Sequence, residues 1–214
     1  MSVLILCLFV IGCGNPKDQK VTNKDYKALL DKASTVKIEE AFVSLGKHYD
    51  VYVGDEKVAE VTGNFFTTFG DTFIMKDPNG NFLIKETEIK RWGLEFDRMA
   101  EVQDQNNNTL GYIGEKTWTK IFSIGYTFHF FNSDKQMIGT SDQINFSFFK
   151  ENQFFDNNNK VAYQVQKKMG FTDKYELKVY DKSIIPLYQA ILMVCIEDSI
   201  KDAEDKKNDK KKNN

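Results

Sequence analysis

Ile-Ile-Pro-Leu-Tyr-Gln-Ala-Ile-Leu-Met-Val-Cys-Ile, residues 184–196, is an apolar segment that stops at the acidic pair Glu197 and Asp198. Asp181 or Ser183 can cap a helix here, and Pro186 suits its first turn. A membrane span needs about 20 apolar residues, whereas this run has 13 positions interrupted by Pro186 and Gln189. The segment therefore predicts a helix buried inside protein.

The large apolar residues of this helix fall on every side of a helical wheel, so no single stripe faces a core. We expect the helix to be enclosed, and we identify its core residues as Ile184, Ile185, Leu187, Ile191, Leu192, Val194 and Ile196.

The rest of the chain alternates with a period of two, which is typical of strands with one buried face. The clearest case is Thr117–Phe131, whose apolar residues occupy the even positions Trp118, Phe122, Ile124, Tyr126, Phe128 and Phe130. The same alternation places Phe65, Phe69, Phe73 and Met75 on one face. We expect the side chains on these faces to fill a β interior.

Polar clusters typical of hairpin turns separate these runs. They lie at residues 77–80, 104–108, 132–135 and 156–159. Successive clusters are 28, 26 and 25 residues apart, about two strands and their connections. This loose period favours a closed barrel, and a propeller is the weaker alternative because its signature residues do not recur.

Composition describes one soluble globular domain, with 41% hydrophobic and 28% charged residues. Charges of both signs mix along the chain and sum to -2, which excludes the basic field that nucleic-acid binding needs. The three cysteines, Cys7, Cys13 and Cys195, have neither a disulfide framework nor metal-type spacing.

The N-terminal run Ser2–Gly12 is too short for a membrane span but has the length of a signal-peptide core. It ends Val10-Ile11-Gly12-Cys13, which resembles the bacterial lipobox. That resemblance implies that Cys13 is diacylated and tethers the chain on the outer side of a membrane in the bacterial envelope. The alternative is a buried apolar strand or an uncleaved anchor.

These patterns divide the chain into four parts. Residues 1–12 are a signal peptide, and residues 13–34 are a lipidated linker with a short helix between Asn23 and Ala33, whose inner side carries Tyr26, Leu29 and Leu30. Residues 35–200 form the barrel. Residues 201–214 carry six Lys and four acidic residues and are expected to form a disordered tail.

Two stretches carry a family resemblance: Phe73–Ile84, which reads FIMKDPNGNFLI, and its echo Val102–Gly111, which reads VQDQNNNTLG. With the ending Val161–Tyr180 and the apolar helix, they look like the LURP-one-related family of tubby C-terminal-like proteins. The resemblance covers roughly residues 35–200. It implies a mainly β fold, a closed antiparallel barrel of about 12 strands around the C-terminal helix, related also to phospholipid scramblases.

Little in the chain points to catalysis, a cofactor or a metal. The two histidines, His48 and His129, have no cysteine near them in sequence, and we interpret both as surface residues. Asp77, Asp104, Asp134 and Asp156 have Asn neighbours like those of calcium loops, but the spacing favours turns. Gly111 and Gly114 indicate a bulge rather than a phosphate-binding loop.

We therefore expect a non-enzymatic, membrane-tethered module that is monomeric and whose barrel binds a ligand or a protein partner or helps to maintain the envelope. A lipid-handling protein is the alternative, by analogy with scramblases and tubby domains. Tubby proteins bind anionic head groups through basic residues, and Lys85, Lys90 and Arg91 are the cluster that could serve here. An enzyme is the third alternative.

Overall fold

The structure, a computed structural model, describes residues 25–41, 46–64, 72–89, 98–120, 123–143, 151–168 and 172–212. These residues contain two helices and twelve strands. In chain order they are α1 (Tyr26–Lys32), β1 (Thr35–Glu40), β2 (Lys47–Val53), β3 (Glu56–Asn64), β4 (Thr72–Lys76), β5 (Phe82–Ile89), β6 (Arg98–Asp104), β7 (Thr109–Lys120), β8 (Ser123–Asn132), β9 (Met137–Ser141), β10 (Glu151–Asp156), β11 (Val161–Lys168), β12 (Lys174–Val179) and α2 (Leu187–Lys212).

The twelve strands form one closed antiparallel barrel in which each strand pairs with its neighbours in sequence. β1 closes the barrel by pairing with both β2 and β12. Closure leaves no unpaired sheet edge. The predicted fold class, a mainly β barrel with a C-terminal helix, is confirmed, and the propeller alternative is wrong.

One end of the barrel, which we call the turn end, carries four hairpin turns built on the same plan. In three of them an aspartate, Asp77, Asp104 or Asp156, accepts hydrogen bonds from the backbone N–H groups two and four residues later, at 2.8 to 2.9 Å. Asn132 begins the fourth turn and accepts one such bond from the Gln136 N–H. The turn interpretation of the three aspartates is confirmed, because each carboxylate bonds to the backbone of its own turn.

The residue at the fourth position of these turns has positive φ. Gly80 lies at 83°, Asn107 at 61°, Lys135 at 65° and Asn159 at 61°. Glycine and asparagine tolerate this region, which explains three of the four residues. The predicted role of Asn and Gly in these clusters is thereby confirmed.

The barrel wall comes close to α2 at Gly111 on β7. A Cβ atom on Gly111 would lie 2.2 Å from Nε2 of Gln189 and 2.4 Å from the carbonyl oxygen of Phe131. The pairing of β6 with β7 shifts register beside it, between Val102 and Gln103. The predicted bulge is confirmed here, and glycine is required because the helix side chain packs against bare backbone.

The single strand predicted over Thr117–Phe131 is wrong. Lys120 at the end of β7 pairs with Ser123 at the start of β8, so the segment forms two antiparallel strands. Paired residues share a face of the sheet, and odd positions of β7 pair with even positions of β8, such as Thr117 with Tyr126. Even positions of the two strands therefore lie on opposite faces. In β8 the prediction holds, because Tyr126, Phe128 and Phe130 are buried. Phe73 and Met75 are also buried, while Phe65 and Phe69 lie outside the described residues.

α2 begins at Leu187, later than predicted. Asp181 does not cap it, because its carboxylate accepts from the N–H and hydroxyl of Ser183 in a separate turn. Pro186 precedes the helix and its carbonyl accepts the first helical bonds. Ile184 and Ile185 therefore lie before the helix, although both still pack in the core.

α2 runs through the barrel from the turn end to the opposite end, which we call the far end. Residues 189–195 have no exposed surface, and Leu187 is also buried. Ile196 is partly buried and packs against the same core. The expected enclosure of the apolar segment is confirmed, since burial on all sides follows from apolar residues on all sides.

The helix does not stop at the acidic pair but continues to Lys212. The predicted disorder of the tail is wrong for residues 201–212. An existing helix extends at little cost, and Lys, Glu and Ala are good helix formers. Neither described helix has an apolar stretch of the length and hydropathy that crossing a membrane requires.

α1 lies at the turn end and begins, as predicted, within the linker. Asp25 caps it by accepting a 2.9 Å hydrogen bond from the Ala28 N–H. Leu30 is buried, and Tyr26 and Leu29 pack against the core, so the predicted inner side is confirmed. α1 thus covers part of the barrel mouth where α2 begins.

Candidate functional site

A cavity of about 570 Å³ lies at the turn end. We call it the turn-end cavity. Pockets of roughly 300 to 1,000 Å³ with mostly apolar walls are typical of small-molecule sites. Its size places it within that range.

The walls of the turn-end cavity come from distant parts of the chain. Leu30 on α1 faces Leu187 and Ile191 on α2 across it. The strands β4 to β7 complete the wall with Met75, Phe82, Leu83, Ile84 and Leu110. The residues predicted for the inner side of α1 and for the core helix therefore meet here and form one apolar pocket.

Four charged residues also line this cavity: Lys27, Asp31, Asp104 and Lys182. Lys27 Nζ lies 2.7 Å from Asp31 Oδ2, so these two charges offset each other. Lys182 Nζ donates to the backbone carbonyl of Asp31 at the end of α1. The cavity is apolar inside, with charged groups among its lining residues.

A second polar feature, at the far end, surrounds Lys47 on β2. Its ammonium group lies 2.7 Å from a carboxylate oxygen of each of Glu40, Asp198 and Asp202. An ammonium has three donors, so each donor has its own acceptor. We call these four residues the lysine cluster, and they tie β1 and β2 to α2.

Asp198 is the most buried acid of this cluster, with a side chain that has no exposed surface. It also accepts hydrogen bonds from the hydroxyls of Tyr49, at 2.8 Å, and Tyr175, at 2.5 Å. Burial alone would raise the pKa of Asp198, but hydrogen bonding to Asp173 and the nearby Lys47 lower it to about 2. Asp198 is thus an ionised carboxylate in the barrel interior.

The lysine cluster has the donors of a cation site but already contains its cation. Glu40, Asp198 and Asp202 bring three carboxylate oxygens close enough to hold a metal ion. The Lys47 ammonium contacts all three, so it occupies the position that an ion would take. We interpret the cluster as a structural anchor for α2.

A lysine ammonium also lies among potential metal ligands at a second place, on the outer surface of the barrel. His48, Asp50 and Glu60 form the other group of potential metal ligands among the described residues. Lys57 Nζ lies 2.6 Å from Asp50 and 3.3 Å from Glu60. His48 Nε2 lies 3.3 Å from Asp50 and 4.0 Å from Glu60, and its side chain is partly exposed, in keeping with its interpretation as a surface residue.

A small cavity of about 80 Å³ lies at the far end beside Glu86, Arg98 and Glu115. Glu86 is 3% exposed, and Arg98 forms a 2.7 Å ion pair with Glu88 on its rim. The volume is far below that of a small-molecule site. We therefore place the candidate site at the turn end.

Glu197, next to Asp198, is buried in a different environment. Asn152 Nδ2 donates to Glu197 Oε1 at 2.7 Å. Glu197 Oε2 and Asn152 Oδ1 are also buried, and neither has a hydrogen-bond partner among the described residues. A protonated Glu197 has a hydroxyl donor that can serve an acceptor such as Asn152 Oδ1. This arrangement favours the neutral acid.

The pKa of Glu197 is consistent with that geometry. Burial raises it well above the ordinary value, and the charges of Asp198 and Asp142 add to the effect beyond what the Asn152 hydrogen bond offsets. The folded state therefore holds this proton more tightly than the unfolded state. Stability from Glu197 is greatest below its unfolded pKa and is lost as pH rises through the folded pKa.

We expect Glu197→Gln to stabilise the protein at neutral pH. Glutamine keeps the shape and both hydrogen-bonding roles of the neutral acid, and it removes the cost of keeping that acid protonated at neutral pH, about 1 to 3 kcal/mol. For a chain of this length that is a Tm increase of roughly 2 to 12 °C. Thermal unfolding at pH 4 and pH 8 should show a larger difference between variant and parent at pH 8.

Glu151→Gln is the control for that measurement, because Glu151 is exposed on β10 next to Asn152, the hydrogen-bond partner of Glu197. A surface change of this kind stays within about 0.5 kcal/mol. A Glu197→Gln variant that is less stable than the parent at pH 8 would contradict a neutral Glu197.

The structure assembles only part of the predicted site residues. Lys85 is half-buried on β5 between the buried Ile84 and Glu86, and Lys90 and Arg91 lie outside the described residues, as does Cys13. The proposed head-group cluster and the lipidation site remain predictions. His129 is half-buried on β8 between two buried phenylalanines, on the outer side of the sheet as expected.

The sequence analysis does not predict the buried polar residues at the far end of the barrel. Glu197 and Asp198 end the apolar run and so predict the end of the buried segment, although Ile200 continues the same periodicity one turn later. That continuation was the available signal that the acidic pair lies inside the barrel. No local sequence pattern marks Lys47, Tyr49 or Asn152. Asp198, the partner of the first two, and Glu197, the partner of Asn152, are between 45 and 151 residues away in the sequence.

Comparisons of the chain with protein-family models, with curated proteins and with solved structures found no significant match.

Proposed function

We propose that this chain is a membrane-tethered, non-enzymatic lipoprotein whose barrel binds a small apolar ligand in the turn-end cavity. The observation that carries the proposal is the cavity itself, about 570 Å³ with mostly apolar walls from α1, α2 and β4 to β7. Binding is favoured over catalysis because the described lining residues include no histidine, cysteine or serine.

The proposed tether suits this site. Cys13 precedes Asp25, the cap of α1, by twelve residues, which span at most about 43 Å when fully extended. Since α1 forms one wall of the turn-end cavity, an acylated Cys13 would hold that end of the barrel near the membrane. The proposed location is the bacterial envelope, outside the cytoplasm.

Membership of the LURP-one-related, tubby C-terminal-like family is part of the same proposal. What supports it is the twelve-stranded antiparallel barrel that encloses a C-terminal helix, which is the fold that the resemblance implies. The proposed function does not depend on this membership, because it is argued from the cavity.

The tether is tested by metabolic labelling with a fatty acid. We expect the parent to be labelled and Cys13→Ala to lose the label, because the acyl chains attach at that thiol. Cys7→Ala is the matched control and should keep the label. Equal labelling of Cys13→Ala and the parent would remove the lipoprotein from the proposal.

The cavity is tested by photo-crosslinking of the full-length chain in phosphatidylcholine vesicles. A neutral, diazirine-bearing hexadecanol should label peptides from α1 and from the start of α2. Leu110→Trp should reduce this labelling about tenfold, because a larger side chain fills the cavity at a cost of about 1 to 3 kcal/mol to any occupant.

Ile138→Trp is the control, since Ile138 is also partly buried against the core but lies outside the cavity lining. Labelling spread over the outer faces of the strands, or labelling that Leu110→Trp leaves unchanged, would overturn the proposed binding site.

A further inference from the structure

Lys182 and Tyr188 place two hydrogen-bond donors at the turn-end cavity. The Lys182 ammonium has three donors, and its one hydrogen bond within the described part of the chain is to the Asp31 carbonyl. Tyr188 lines the cavity, and its hydroxyl has no hydrogen-bond partner among the described residues. Burial, with the nearby Asp104, raises the pKa of Tyr188 to about 12, so its hydroxyl remains a donor at neutral pH.

The other charged groups of the cavity already have polar contacts of their own. Lys27 and Asp31 form an ion pair. The Asp104 carboxylate accepts from the N–H groups of Asn106 and Asn108 and from Asn108 Nδ2, at 2.8 to 2.9 Å. Lys182, in contrast, forms no ion pair with a carboxylate in the described part of the chain. Lys182 is therefore the charged group of the cavity that still has donors for a ligand, whereas the acceptor sites of Asp104 are largely filled by its own turn.

The volume limits the apolar part of the ligand. At about 30 Å³ for each group the size of a water molecule, 570 Å³ holds about 19 such groups. That suffices for one alkyl chain of about 16 carbons with a small head. Two such chains would need about twice that volume.

We infer that the ligand is a single-chain amphiphile with an anionic head, such as a long-chain carboxylate. Its chain lies along Leu30, Leu187 and Ile191, and its head accepts hydrogen bonds from Lys182 and Tyr188. This inference rests on the proposed function, since it assumes that the turn-end cavity is the binding site.

The test compares three diazirine probes on the full-length chain in phosphatidylcholine vesicles: hexadecanoic acid, hexadecanol and a two-chain phosphatidylglycerol. At pH 8 we expect the acid to label the α1 and α2 peptides about tenfold more than the alcohol, the ratio that one hydrogen bond to a charged group provides. The phosphatidylglycerol should label these peptides less than the acid.

Variants of Lys182 show whether the charge selects the ligand. Lys182→Gln should reduce the acid-to-alcohol ratio to about one, and Lys182→Arg should restore it. Lys178→Gln is the matched control, because Lys178 is exposed on β12 and away from the cavity. A lysine that only supports α1 would lower labelling by both probes and leave their ratio unchanged, which would contradict the inference.

The outcomes separate this inference from the proposed function. Equal labelling of the cavity by acid and alcohol would overturn the anionic head and leave the cavity as a binding site. Stronger labelling by the phosphatidylglycerol would overturn the single chain and identify a membrane lipid as the ligand. If no probe labels the cavity, both the inference and the proposed function fail.

Discussion

Leu192→Asp is expected to prevent the chain from folding. Leu192 has no exposed surface and lies in the fully buried stretch of α2, residues 189–195. A carboxyl group there has no partner, and the cost of burying it, added to the lost leucine packing, is comparable with the 5 to 15 kcal/mol by which a typical domain is stable. We expect insoluble protein, or soluble protein without a cooperative thermal transition.

Two further variants make this result specific. Leu192→Ala removes the same side chain without adding a charge and should cost about 2 to 5 kcal/mol while leaving a cooperative transition. Met137→Asp introduces the same carboxylate on β9 at a position that is 47% exposed, and it should change stability little. A soluble Leu192→Asp protein that unfolds cooperatively near the parent Tm would refute an enclosed helix.

Lys47→Met is expected to lower stability by about 3 to 5 kcal/mol, because it leaves the buried Asp198 carboxylate without its ammonium partner. For a chain of this length the Tm decrease is roughly 6 to 20 °C. Because the pKa of Asp198 is depressed to about 2, its contribution is present above its unfolded pKa and is lost as pH falls toward 2. The Tm difference between variant and parent should therefore shrink at acid pH.

Lys57→Met is the surface counterpart of this variant. Lys57 also contacts two carboxylates, of Asp50 and Glu60, but all three side chains are partly exposed. Exposed ion pairs contribute about 1 kcal/mol or less, so the Tm should change little. Adding Asp198→Asn to Lys47→Met should recover part of the loss by removing the uncompensated charge. No recovery would indicate that Lys47 acts through packing rather than through Asp198.

The strands and turns were predictable where the information is local. The turns that begin at Asp77, Asp104 and Asp156 use residues that bond to their own backbone within four positions. The prediction of one strand over Thr117–Phe131 was wrong because the two residues between β7 and β8 include neither glycine nor proline, and the alternation of apolar residues continues through them in the sequence. Turn-forming residues, where they are present, predict the ends of strands better than the alternation of apolar residues does.

The candidate site was predictable only in pieces. Leu30, Leu187 and Ile191 were each identified as facing inward, but nothing in the sequence indicated that they face a common cavity. The lysine cluster was missed altogether, because polar residues after an apolar run usually mark the end of a buried segment. Closing the barrel around α2 brings Lys47 and Asp198, 151 residues apart, into contact.

Local chemistry in the chain thus accounts for a β meander, for its hairpin turns and for an apolar helix that has to be enclosed, because periodicity, turn residues and apolar character act over a few neighbouring positions. Closure of the barrel creates the cavity between α1 and α2. It also places the Lys47 ammonium among three carboxylates and buries Glu197 where the neutral acid is favoured. Each depends on distances between residues far apart in sequence, and on the low dielectric that forms only when the strands surround the helix.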